Sequence, residues 1–146
     1  MIKLILAAML FAGAANIKVP AAGWKAEKIM EWKGQYGGPI DAGTEVAADA
    51  SAWTRLWLML GQDAPALDFT QYFAVAVFAG ERPTGGYTVE FLDPVPKGMD
   101  LAVRYRIKRP AGFSTQAIAQ PWKVRAFARV KGKVFVVPVP AEGKPK

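Results

Sequence analysis

The strongest constraint on the fold of this chain is the change in its apolar periodicity at Leu67. Before that point one segment repeats at the spacing of a helix, and after it every ordered-looking segment alternates with a period of two, as strands require. Tyr72 to Ala79 is apolar on both faces, which marks a strand covered on both sides. Tyr87, Val89 and Phe91 alternate with Thr88 and Glu90. Leu101, Val103, Tyr105 and Ile107 alternate with Ala102, Arg104, Arg106 and Lys108, so one face is apolar and the other cationic. Lys123 to Val130 and Lys133 to Val137 complete the series as two strands joined by a turn at Lys131-Gly132.

Ahead of these, Lys25 to Lys33 reads as a first strand, broken by the three glycines and the proline between Gly34 and Pro39, and Thr44 to Ala48 as a short return strand. Ala52, Trp53, Leu56, Trp57 and Leu60 recur at spacings of three and four. They predict one amphipathic helix, capped by Asp49 or Ser51 and stopped at Gly61. At 146 residues with 52% hydrophobic composition, the chain suits one core rather than two domains. The fold class expected is mainly β (α+β): a compact antiparallel β-sandwich or partly open barrel with one amphipathic helix.

Residues 1–14 read as a signal peptide. Lys3 forms a minimal positive region, Leu4 to Phe11 an apolar stretch, and Ala12-Gly13-Ala14 a small-residue cleavage site. Residues 15–24 then form an extended lead-in, 25–137 the β-domain and 138–146 a loose tail rich in Pro, Gly and Lys. The apolar run is too short for a membrane-spanning helix, so a periplasmic or secreted protein is expected, not an integral membrane protein. With no Cys there is neither a disulfide nor a lipidated anchor, and stability rests on packing.

The same composition removes most chemistry. There is no His and no Cys, and serine occurs only at Ser51 and Ser114, so a nucleophile would lack its usual base. Zinc, haem and iron–sulfur sites lose their ordinary ligands, and the acids are too scattered for a calcium loop. Glu81 and Glu90 in one hairpin read as solvated or Arg-paired acids rather than a glycosidase pair. No enzyme and no cofactor are expected.

What remains is Gly80-Glu81-Arg82-Pro83-Thr84-Gly85-Gly86-Tyr87 between two strands. Pro83 fixes its own φ and the glycines permit a sharp turn, so the run is either a tight β-hairpin connection or a recognition loop with bare backbone and an adjacent Tyr. Trp53 and Trp57 belong to the core. Trp24, Trp32 and Trp122 flank breaks and are expected partly exposed, with Trp122, after Gln120-Pro121, the candidate interface anchor.

Charge adds one more reading. The chain carries 19 Lys and Arg against 12 acids, a net +7. Twelve of the basic residues and only Asp100 and Glu142 fall after residue 96. If the strand from Asp100 to Lys108 lies beside Lys123 to Arg129, then Arg104, Arg106, Lys108, Lys123, Arg125 and Arg129 share a face suited to an anionic envelope component or an acidic protein. The plain alternative is a solvated outer face whose charges keep strands from pairing with neighbours. Intracellular nucleic acid is not expected as a partner of a secreted chain.

The segment from Asp68 to Val130, with its strand Tyr72 to Phe78, the run Gly80 to Val89, and later Thr115-Gln116-Ala117 and Gln120-Pro121-Trp122, resembles the PrcB C-terminal-like domain, whose namesake is a subunit of a bacterial surface protease complex. That resemblance implies a non-catalytic protein that assists or stabilises a protease, with a protein partner and no catalytic residues. Trp122 stands where the family is associated with a smaller aromatic. A weaker similarity links Pro83 to Tyr87 and Gln120 to Trp122 with the first and last loops of chagasin-like protease inhibitors. It implies a loop-inserting inhibitor as the alternative, with Ala111-Gly112-Phe113 a poor match to the middle loop. On either resemblance the partner-binding residues are Arg82, Pro83, Thr84, Gly85, Gly86, Tyr87, Gln120, Pro121 and Trp122.

Overall fold

A computed structural model describes residues 29–112 and 116–141. The proposed signal peptide and lead-in, and Trp24, lie outside the described residues. The elements are β1 (Glu31–Gly34), β2 (Gly43–Ala47), α1 (Ala50–Met59), β3 (Tyr72–Phe78), β4 (Thr88–Phe91), β5 (Val95–Lys97), β6 (Asp100–Lys108), β7 (Trp122–Ala128) and β8 (Val134–Pro138).

They build two sheets facing each other. The first has the order β1-β7-β3-β2, all antiparallel. In the second, β4 and β5 pair antiparallel with β6, and β8 pairs with β6 in parallel. β5 and β8 both pair with Leu101 and Ala102, so they occupy opposite edges of β6. The Leu92 N–H donates to the Arg104 carbonyl at 2.9 Å and carries the β4 edge across to β5. The sheets do not close into a barrel, and the sandwich alternative holds.

β3, apolar on both faces, is the hinge of the packing. Ala74, Ala76 and Phe78 face α1, where they meet Trp53, Leu56, Trp57, Trp122 and Val124. Phe73, Val75 and Val77 face the second sheet and meet Val89, Phe91, Leu101, Val103 and Phe127. The helix begins as expected, with the Asp49 carboxylate accepting from the Ala52 N–H at 2.8 Å. It ends at Leu60 followed by Gly61 at φ 73, the left-handed position that glycine fills without strain.

The expected turn at Lys131-Gly132 joins β7 to β8 and carries the chain from the first sheet to the second, where β8 joins β6 in parallel. Gly132 is needed there because a Cβ would fall 2.5 Å from the Met99 carbonyl oxygen. Two expectations are corrected. The Gly80–Tyr87 run is not a hairpin connection, since β3 and β4 lie in different sheets. Finally, β6 and β7 are also in different sheets, so the condition for one shared basic face fails.

Candidate functional site

By register, Gly34 lies opposite Trp122, Trp122 opposite Phe78, and Phe78 opposite Gly43. The loops leaving these positions therefore gather at one end of the sandwich. The Gly80–Tyr87 run and the stretch Ile118–Pro121 meet directly. Arg82 and Ala119 form an isolated antiparallel bridge, Arg82 N–H to Ala119 carbonyl at 2.8 Å and Ala119 N–H to Arg82 carbonyl at 2.9 Å. The Gln120 amide nitrogen donates to the Glu81 carboxylate at 3.1 Å, and the Ala79 N–H donates to the Pro121 carbonyl at 2.9 Å.

A third loop, Gln35 to Ile40, completes the site, and sequence reasoning treated it only as a break. Gln35 ties the other two together. Its side-chain amide donates to the Tyr87 carbonyl at 2.6 Å and accepts from the Gly86 N–H at 3.1 Å, while its backbone carbonyl accepts from the Gln120 N–H at 2.9 Å. The Gly38 N–H donates to the Gln120 carbonyl at 3.2 Å, and the Glu81 N–H donates to the Ile40 carbonyl at 2.9 Å. At Gly38 a Cβ would sit 2.6 Å from the Gln120 carbonyl oxygen, so a side chain would force the loops apart. The signal available in the sequence was Gln35's place in a loop as rich in Gly and Pro as the Gly80–Tyr87 run.

Gly80 and Gly86 have φ of 80 and 92, so the positive-φ role expected of Gly85-Gly86 falls to Gly86 within that pair. The Arg82 guanidinium stacks over the Tyr87 ring at 4.9 Å and donates to the Ala79 carbonyl at 3.2 Å, which orders both residues. Pro83 and Gly86 are exposed; Arg82, Thr84, Tyr87 and Gln120 are half-buried; Gly85 and Pro121 are buried.

Trp122 departs from the expected role. It is 3% exposed, its indole N–H donates to the Tyr36 carbonyl at 3.0 Å, and its ring lies where a Cβ on Gly34 would come within 2.8 Å. It stacks edge-to-face with Trp57, which in turn meets Trp53 and Trp32, so the indole is a core wedge beneath the loops rather than a contact residue. The exposed apolar side chains at this end are Tyr36, Ile40 and Ile118, at 54%, 69% and 58% exposure. None of the three was singled out from the sequence. The site presents backbone edges, three large apolar groups and one ordered cation, a surface suited to binding a polypeptide.

The six basic residues come from strands of different sheets, and five of them are engaged within the fold. Arg106 pairs with Glu90 at 2.7 Å, holding the Glu90 carboxyl below its ordinary range chiefly through that hydrogen bond. Arg125 and Lys123 pair with Glu31, and the Arg125 guanidinium lies over Phe91. Burial pushes the Lys123 ammonium below the usual lysine range. Arg104 donates to the Asp93 carbonyl at 3.0 Å. Arg129 donates to the carbonyls of Ala48, Phe69 and Tyr72. Lys108 is exposed at the end of β6. An apolar cleft of about 500 Å³ lies near Tyr72, Pro94, Pro96 and Leu101, but its two arginines, Arg125 and Arg129, are the committed ones just described. Among the described residues no cluster of three His, Cys, Asp or Glu could hold a metal ion.

The geometry defines an open two-sheet β-domain with three loops tied together at one end. Residues 73–127 match the model of the family described as PrcB C-terminal, which shows the resemblance read from the Gly80–Tyr87 run. The match runs from β3 to β7, and so contains two of the three loops but not Gln35. Neither the curated proteins nor the solved structures hold a significant match to the chain. Among the described residues no helix is long and apolar enough to cross a membrane.

Proposed function

We propose that the protein is a secreted, non-catalytic protein-binding domain that assists or stabilises a protease complex, docking through the three-loop end. The observation that carries this reading is the convergence of the loops: the Gly80–Tyr87 run is bridged to Ala119 and tied to Gln35, so it is held in one shape before any partner arrives. Binding then avoids much of the ordering entropy that a free loop would lose. Tyr36, Ile40 and Ile118 supply the apolar anchors around it. The family match supplies the class of partner.

Inhibition of a protease by loop insertion is the second reading, favoured by the adjacency of the two motifs and weakened by the burial of Trp122. Purified protein added to an envelope protease separates the two. Prolonged protease lifetime with unchanged turnover supports assistance, and lost turnover supports inhibition. Ile40→Asp and Ile118→Asp are expected to abolish complex formation, and Gln35→Ala to weaken it roughly tenfold, about 1.4 kcal/mol, through the lost loop ties. Equal binding by folded Ile40→Asp and Ile118→Asp proteins would remove the loop end from the account.

A further inference from the structure

An open sandwich has edge strands, and three of the edges here are blunted. The β4/β5 edge carries Pro94 and Pro96, β1 is four residues long with its Glu31 held in ion pairs, and β2 contains Gly43 and Glu45 and leads directly into α1. The fourth edge, β8, is different. It reads Val-Phe-Val-Val-Pro, none of its residues is buried, and Phe135 and Val137 are 47% and 39% exposed. Such a strand is a template for another strand.

The side of β8 turned away from β6 can be assigned. Leu101 N–H donates to the Lys133 carbonyl at 2.9 Å, and Val139 N–H donates to the Tyr105 carbonyl at 2.8 Å. The odd-numbered residues therefore point their peptide groups at β6. Alternation aims the N–H and C=O of Val134 and Val136, and the carbonyl of Pro138, away from it. Among the described residues β6 is the one strand paired with β8. On the outer face, Val95, Ala102 and Phe135 stand in direct register, an apolar row ending at this edge.

We propose that β8 pairs antiparallel with β8 of a second copy of this chain, about a two-fold axis at Val136. In that register Val136 faces Val136, Val134 faces Pro138, and Phe135 faces Val137. The two most exposed apolar side chains cover each other, and the row on the outer face continues into the partner. The residue without an N–H, Pro138, falls at the end of the ladder, where it loses one bond per side. Lys131 and Lys133 fall opposite Ala141 and Val139, so the cations flanking the strand avoid each other. The strand thus fits a second copy in shape with no cation set opposite another, which favours a second copy over a strand of other sequence. A five-residue edge buries less than a standard interface, so the dimer belongs to the weak, concentration-dependent class.

Sedimentation of the full chain over a concentration series tests this. A reversible monomer–dimer equilibrium is expected for the wild type, and Val136→Pro, which removes an N–H pointing away from its own protomer, is expected to remain monomeric while still unfolding cooperatively, with a melting temperature lowered by the lost contact of Val136 with the core. Phe135→Cys and Val137→Cys give a second readout in a chain without cysteine: oxidation is expected to cross-link the two variants when mixed, and neither alone. A wild type that stays monomeric at every concentration overturns the proposal, as does a Val136→Pro protein that dimerises equally or cross-linking of each Cys variant with itself.

Discussion

The two faces of the β3–β7 pair are packed by different means. On the helix side the core consists of a few large rings: Trp32, Trp53, Trp57, Trp122 and Phe69 meet edge-to-face at centroid separations of 5.5 to 6.0 Å. On the other side there is no indole: Val75, Val77, Val89, Leu101 and Val103 pack with Phe73, which stacks on Phe127, and with Phe91, which meets Phe127 edge-on. Aliphatic packing is tolerant of exchange, whereas an indole brings a polar N–H that must be satisfied. Trp122 uses that N–H to hold the Tyr36 carbonyl and Trp53 uses its own to hold the Pro65 carbonyl, so the ring cluster positions loops as well as filling volume. The Trp57 indole nitrogen, by contrast, is buried with no hydrogen-bond partner among the described residues. One face stores stability; the other also transmits it to the loop end.

The sharpest way to break this contrast is to remove one large ring from each side. Trp122→Ala and Phe127→Ala are both expected to cost about 3–5 kcal/mol, read from chemical denaturation. Only the first should strip hydrogen-exchange protection from the Gly38 and Gly86 amides. Loss of that protection in both variants, or in neither, would mean that the helix-side core has no special hold on the loops.

A smaller effect comes from single methyl groups. Gly38→Ala drives a Cβ against the Gln120 carbonyl and is expected to cost about 1–3 kcal/mol, as overpacking does, whereas Gly43→Ala meets nothing within 4 Å and should leave stability almost unchanged. Comparing the two melting temperatures checks this.

The smallest effect is electrostatic. Glu90 has its folded pKa lowered, so its contribution is present above the ordinary glutamate value of 4.5 and is lost as pH falls through the lower folded value. Stability should therefore decline below about pH 4.5 more steeply in the wild type than in Arg106→Ala. Because the Glu90 side chain is 38% exposed, the slope difference is expected to be slight and to shrink in high salt.

Much of this fold is legible in local patterning. The two-faced run became β3, the alternation from Leu101 became β6, and the three-four spacing became α1 with both of its caps where expected. Pairing was less legible, because alternation fixes which face a side chain takes but not which strand lies beside it. Lys131-Gly132 reads as a turn, but nothing local says that it carries the chain between sheets, and β5, with two prolines around it, left no strand signal. At the site, the Gly80–Tyr87 run announced itself through its glycines. Gln35 did not, because its role depends on a contact with residues about fifty positions away. Trp122 looked like an anchor because it follows a loop proline, while its burial depends on Gly34 clearing space in another strand.

The ties from Gln35 to the Gly80–Tyr87 run end on main-chain atoms, the Gly86 N–H and the Tyr87 carbonyl, and the bridge from Ala119 likewise meets the main chain of Arg82. The frame is therefore indifferent to the side chains at Pro83 and Thr84 between those anchor points. This makes the tip an exchangeable cassette: specificity for one polypeptide can be rewritten there, by evolution or by grafting, while the scaffold that presents it stays the same.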